Sequence, residues 1–216
     1  MGSSDVVSST TIEWVVGNGQ YNEASRTQLK LRRLPRLKRI MIGDECFGKV
    51  RVFELDELSE LESVVIGRDS FRISTSERSD GDYRIVNCRK LKSIQIGHWS
   101  FWDYHSFELN NLPSLQSIEI GDDCFGKVRV FELDGLSELE SVVIGENSFT
   151  GNGIHTSLRI VNCNSLSSIQ ISDASFADFQ SIELRGLPSL VSIVMGERCF
   201  SSTQELEISG YHSCDN

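Results

Sequence analysis

Four histidines and six cysteines are the side chains in this sequence best suited to proton transfer, nucleophilic attack or metal ligation. A catalytic histidine needs a nucleophile or carboxylate within hydrogen-bond reach. His98, His105, His155 and His212 share no register with a suitable Ser, Cys or carboxylate pair, apart from His98 and Asp122. That pair reads as a surface contact between neighbouring turns of chain rather than a dyad. No C-x-x-C spacing supports a zinc site, and Asp80-Gly81-Asp82 lacks the ligand series of a calcium loop. The two "GNG" stretches, at 17–19 and 151–153, lack the lysine and the following helix of a phosphate loop. The sequence therefore predicts no enzyme, cofactor or metal. The densest chemistry is in "GHWSFWDYHSF" (97–107), which crowds His98, Trp99, Trp102, Tyr104 and His105: Trp and Tyr give large contact area at low entropic cost in recognition, and the alternative is aromatic packing over a coil edge. Phe101 and Phe107 are excluded from that surface as core residues by register.

What must position these residues is a repeat. The three prolines, Pro35, Pro113 and Pro188, are 78 and 75 residues apart. Units begin at Leu34, Leu58, Cys88, Leu112, Leu136, Cys163 and Leu187, giving steps of 24, 30, 24, 24, 27 and 24. A looser unit starts near Ser8. Each unit reads L-x-x-L-x-S-I-x-I-G-x-x-S/C-F, then about five residues, then F-x-L. The two alternating stretches, I-x-I and F-x-L, predict two short strands per unit, each burying one face. Strands so short become stable only when stacked, so the pattern predicts a solenoid of about eight coils. Its two parallel sheets would be joined by tight turns too short for a helix. Ile66, Ile96, Ile120, Ile144 and Ile171 should form one buried column.

A three-unit block has been copied. "LSELESVVIG" is identical at 58–67 and 136–145, and "GKVRVFELD" at 48–56 and 126–134. In a solenoid such a copy lengthens the rod without disturbing a closed core. Outward positions on the second strand run Lys30, Glu54, Arg84, Glu108, Glu132, Arg159, Glu183, Glu207. This predicts a charge ladder with like neighbours only at Glu108–Glu132 and Glu183–Glu207. On the first strand a column containing Val65, Gln95, Glu119 and Val143 runs between a serine stripe and a glycine stripe. The stripes either suit tight coils or make a smooth surface open to another backbone; on the second reading these four residues join His98, Trp99, Trp102 and Tyr104 as partner-binding candidates. The insertions at 72–83 and 150–157 occupy one slot between the strands and are further candidates.

The series L-x-x-L-x-x-I-x-I-x-x-x-x-F resembles the repeated segment of leucine-rich repeat proteins, and the added F-x-L strand with I-G-x-x-S-F resembles their BspA-like branch. The likeness spans roughly residues 8–210. It implies a right-handed, mostly β leucine-rich repeat solenoid that binds proteins without catalysis. Residues 1–7 would be a tail and 211–216 the stub of a further repeat. The sequence departs from the family where an asparagine ladder is usual, carrying Glu45, Asp69, Trp99, Asp123, Asn147, Ala174 and Arg198. Backbone groups there need other partners, with the Ser/Cys one residue later or water as candidates.

Composition agrees with a folded chain, since 39% of the 216 residues are hydrophobic and 24% charged. The net charge of −10 argues against nucleic acid and against anionic membrane. No apolar run is long enough to span a bilayer, and the start lacks the pattern of a signal peptide. Cysteines at equal unit positions three coils apart would be roughly 15 Å from each other at strand spacing, too far for disulfides. All six are predicted to be thiols, favouring a cytoplasmic setting, with the cell surface open if the chain is a piece of a longer one. The alternative to a protein-binding scaffold is a self-associating or cell-surface adhesion module. The apolar coil at Leu187–Met195, with no evident cap after it, marks the C-terminal edge for association.

Overall fold

Sixteen strands and no helix make up the described residues, 7–73, 81–151 and 155–210, of the computed structural model. The I-x-I strands are β1 (Glu13–Val16), β3 (Arg39–Ile42), β5 (Ser63–Ile66), β7 (Ser93–Ile96), β9 (Ser117–Ile120), β11 (Ser141–Ile144), β13 (Ser168–Ile171) and β15 (Ser192–Met195). The F-x-L strands are β2 (Gln28–Arg32), β4 (Val52–Asp56), β6 (Gly81–Val86), β8 (Tyr104–Asn110), β10 (Val130–Asp134), β12 (Ser157–Val161), β14 (Ser181–Arg185) and β16 (Glu205–Ser209). All pairs are parallel and link equivalent positions of successive coils, so the chain is a β-solenoid of about eight turns with roughly 24 residues per turn. The isoleucine column stands: Ile66, Ile96, Ile120, Ile144 and Ile171 pair in register and are all buried.

The first sheet is continuous through eight strands, but the second differs from the two-sheet expectation. It is divided into β2-β4-β6-β8 and β10-β12-β14-β16. A β-bulge between Gly81 and Asp82 and its partner β8 shifts the register just before the division.

Two interlocked aromatic columns run through the otherwise mainly aliphatic core. Phe47, Phe71, Phe101, Phe125, Phe149 and Phe176 stack face to face with centroids 4.9, 4.6, 5.2, 5.1 and 5.1 Å apart. Phe53, Tyr83, Phe107 and Phe131 form the second column, spaced 5.1, 5.2 and 5.3 Å. Rings of one column meet the other edge-on, as in Phe53–Phe71 and Tyr83–Phe101. Both geometries suit the aromatic quadrupole.

Closing each coil in so few residues takes left-handed backbone. Asp69 and Phe71, at φ 52° and 58°, repeat as Trp99 and Phe101 at 63° and 56°, and as Asp123 and Phe125 at 55° and 54°. Such conformations cost about 1–2 kcal/mol each for residues with a Cβ. The alternation reverses successive N–H groups, which repays the strain with inter-coil bonds. Glu45, Asp69 and Trp99 donate forward to Arg68, His98 and Asp122 at 2.8, 2.9 and 2.8 Å, while Phe71 donates back to Cys46 at 2.8 Å.

Between them, the Ser/Cys position forms a buried ladder. Ser70 Oγ accepts from Cys46 N (3.1 Å) and donates to Gly43 O (2.9 Å), and Ser148 Oγ repeats this with Cys124 N and Gly121 O. Cys46 and Cys124 donate their thiols to Gly17 O and Gly97 O. Because backbone and ladder hold the turn, the left-handed residue just before the Ser/Cys is free to vary.

Tyr83 is the exception in its column, since its hydroxyl is buried without a hydrogen-bond partner and desolvation raises its pKa. An orphan hydroxyl costs roughly 1–3 kcal/mol, so Tyr83→Phe should stabilise the chain by about 1 kcal/mol in urea denaturation. Phe101→Ala, by contrast, should cost about 3–5 kcal/mol.

Candidate functional site

The first sheet presents a shallow trough of about 530 Å³ lined by Val65, Gln95, Glu119 and Val143 with His98 and the glycine stripe. Its shape follows from stacking. A Cβ added at Gly97 or Gly121 would lie 2.8 Å from the backbone nitrogen of Arg68 or His98, so the stripe lets one coil sit on the next. Of the two readings of the stripe this bears out the tight-coil one: the openness is a by-product of coil stacking. Ser172 occupies the same position in its coil, which shows that the requirement varies along the rod.

Within the trough, Gln95 and Glu119 project and join through a 3.1 Å hydrogen bond, while Val65 and Val143 flank them half-buried. The floor offers apolar contact at both ends and one amide–carboxylate pair between. At its rim His98 Nδ1 lies 2.9 Å from Asp122 N and 3.0 Å from Asp122 Oδ2. The neutral ring accepts from the backbone N–H; the protonated ring donates to the carboxylate. Asp122 Oδ1 in turn accepts from Glu146 N, which makes the pair part of a surface ladder between coils.

The aromatic cluster is divided by the fold. Trp99 is 39% exposed, with the Arg72 guanidinium 4.8 Å from its ring centroid, a cation–π geometry. Trp102 lies 6.1 Å from it and packs over Gly126, where a Cβ would meet the indole at 2.8 Å. Tyr104, expected on the surface, is fully buried instead: it takes the place of Val50 and Val128 in other coils and donates its hydroxyl to Val50 O at 2.8 Å. Gly81 makes room for its ring. His98, Trp99 and Trp102 thus lie on one edge, with Trp99 the accessible anchor. The insertions fall partly at 74–80 and 152–154, outside the described residues, and Asp80 with them.

One feature is not in the sequence reading: a cleft of about 680 Å³ where the second sheet divides, lined by His105, Glu108, Asn110, Arg129, Glu132 and Asp134 among others. Its signal was the like pair Glu108–Glu132. Elsewhere the predicted charge ladder forms: Arg84 bridges Glu54 and Glu108 at 3.4 and 2.9 Å, and Arg159 bridges Glu132 and Glu183.

No known protein family, curated protein or solved structure was found to match this chain.

Of the six cysteines expected as thiols, the five described are free, and all but Cys199 are buried; Cys214 lies outside the described residues. Desolvation pushes Cys88 and Cys163 up to about 11 and Cys124 up to about 12. The folded chain holds these thiols protonated while the unfolded chain ionises near the ordinary value, so this stability is complete below about pH 8.5 and is lost as pH rises toward 11–12. Urea midpoints should therefore fall between pH 9 and 11, and Cys88→Ala/Cys163→Ala should flatten that fall.

Proposed function

We propose that this chain is a non-enzymatic protein-binding scaffold of the leucine-rich repeat type, with BspA-like repeats, that engages its partner through the first-sheet trough. The observation that carries the reading is the contrast between the two sheets. On the second sheet the outward residues are spent on one another in an ion-pair ladder, interrupted at Glu108–Glu132. On the first, Val65, Gln95, Glu119 and Val143 form a column with no such ladder, in a trough spanning four coils. Exposed apolar and amide groups on a rigid face suit an extended polypeptide or a flat sheet. Trp99, at the edge of the same coils, supplies an anchor of the type enriched in hot spots. The repeat formula L-x-x-L-x-S-I-x-I-G-x-x-S/C-F supports the family assignment.

Self-association is a second reading, favoured by the coil of β15 and β16, where Val194, Met195, Leu206 and Ile208 are all exposed. A sedimentation series separates the two: a monomer at high concentration removes self-association, and Glu205→Lys with Ser209→Lys should disperse any oligomer built on that edge.

For the scaffold reading, a photo-cross-linking amino acid at Gln95 should give a discrete protein adduct in cells, and Val65→Glu/Val143→Glu should reduce it at least tenfold. An adduct formed equally from the second-sheet position Arg185, or unaffected by the double variant, overturns the assignment to the trough.

A further inference from the structure

The division of the second sheet falls at the junction of the duplicated blocks. Strands β3 to β8 belong to the first copy and β9 to β14 to the second, so β8 and β10 meet across the boundary. Among the described residues no backbone hydrogen bond joins them. At most other steps the left-handed residue after each strand donates to the next coil, from Arg33 to Asp56, Glu57 to Val86, Asn87 to Asn110, Gly135 to Val161 and Asn162 to Arg185. The series omits Asn111 at the seam and Gly186 at the last step, but there β14 and β16 stay paired along their whole length, whereas β8 and β10 do not. The core is continuous beneath, with Phe107 and Phe131 stacked at 5.3 Å, but Phe107 and Leu109 are 7% and 8% exposed where Phe53 and Leu55 are 0%.

Three local causes coincide. First, Glu132 follows Glu108, whereas its counterpart Glu54 follows Lys30, 3.8 Å away. Like charges directly opposite disfavour pairing. The other like pair, Glu183–Glu207, stays in a paired sheet, and there Arg185 Nε lies 2.9 Å from Glu183. The residue in that place beside Glu108 is Asn110. Second, Asn87 donates to Asp56, Asn111 to Asn87, and Asn162 to Asp134, but the junction position is Gly135, which has no side chain to bridge back; Gly186 is equally bare after the paired strand β14, so the missing bridge acts only together with the charge mismatch. Third, the bulge before Ser106 disturbs the approach of β8.

We propose that this seam is a hinge: two four-coil bodies rock about the unbroken first sheet as β8 and β10 separate. What still crosses the seam on that side is the aromatic stack, the Lys127–Asp103 ion pair and Trp102 over Gly126. Because the spine is the first sheet, opening the back bends the rod toward the front. The trough, centred on β7 and β9 of the same junction, narrows as the seam opens, a coupling that rests on the trough being the binding face. The hinge itself rests on the fold alone.

The duplication supplies an internal control, since Val52–Asp56 and Val130–Asp134 are both "VFELD" and have equal intrinsic amide exchange rates. Native-state hydrogen exchange on the full chain should show at least one amide of 130–134 exchanging tenfold or more faster than its counterpart in 52–56. Asn110→Arg, which copies the Arg185 arrangement, and Glu108→Gln, which removes the repulsion, should each narrow that ratio at least threefold. Equal protection of the two strands overturns the hinge. So does a fast seam that neither variant slows, because the charge mismatch would then not be what holds it open. Failure of the trough cross-linking would leave these outcomes intact.

Discussion

The stacked phenylalanine at the end of each I-G-x-x-S/C-F segment is the constraint on which the other features depend. Its ring rests on the equivalent ring of the coil below at about 5 Å, the spacing of paired strands. Its backbone is left-handed, a conformation that an aromatic residue adopts only where its surroundings over-determine it. Once that ring is fixed, the height of every coil is fixed, and so is the register of both strands. Extra residues fit only outside that fixed register, and both lengthened units carry theirs after the phenylalanine, between one strand and the next in sequence. The buried Ser/Cys ladder follows from the same turn, because the residue before the phenylalanine points inward and must satisfy the carbonyl of the previous coil's glycine.

Charge organises the outside of the second sheet. Glu54 is the centre of its upper part: its side chain is 6% exposed, with Lys30, Arg32 and Arg84 all within 4 Å. Removing those cations would leave a nearly buried carboxylate unpaired, a costlier change than the 0–1 kcal/mol of an ordinary surface pair. In the second copy Glu132 is 47% exposed at its side chain and held from one side only, by Arg159. The same nine-residue stretch thus has two electrostatic environments, set by the coil beneath it.

The fold was legible because eight registers of the same apolar pattern over-determine it, and because the pairing partner of each strand is its own equivalent one unit on. The charge ladder and free thiols were legible for the same reason. Tyr104 was not: its type suggested a surface anchor, yet its unit position is that of Val50 and Val128, and position decides burial in a stacked coil. The glycine stripe was ambiguous because glycine serves equally for a partner's backbone and for the chain's own, and only the 2.8 Å approach of the next coil distinguishes them. The like pair at Glu108–Glu132 was visible, but whether it breaks a sheet depends on neighbours such as Arg185 or Asn110, a three-body matter that a column of single residues does not express.

Why the copy left a scar on one sheet and not the other follows from the chemistry of the two outward faces. Across the junction the first sheet brings together serine with serine and Gln95 with Glu119, groups that either ignore one another or hydrogen-bond. Any coil carrying that face stacks on any other. The second sheet carries alternating charge, a pattern with a phase, and a block reading Glu-Arg-Glu repeats out of phase with itself at every join. Duplication of an odd number of coils therefore preserves a neutral sheet and faults a charged one. The neutral sheet became the continuous spine, and it carries the candidate binding face across the junction unbroken.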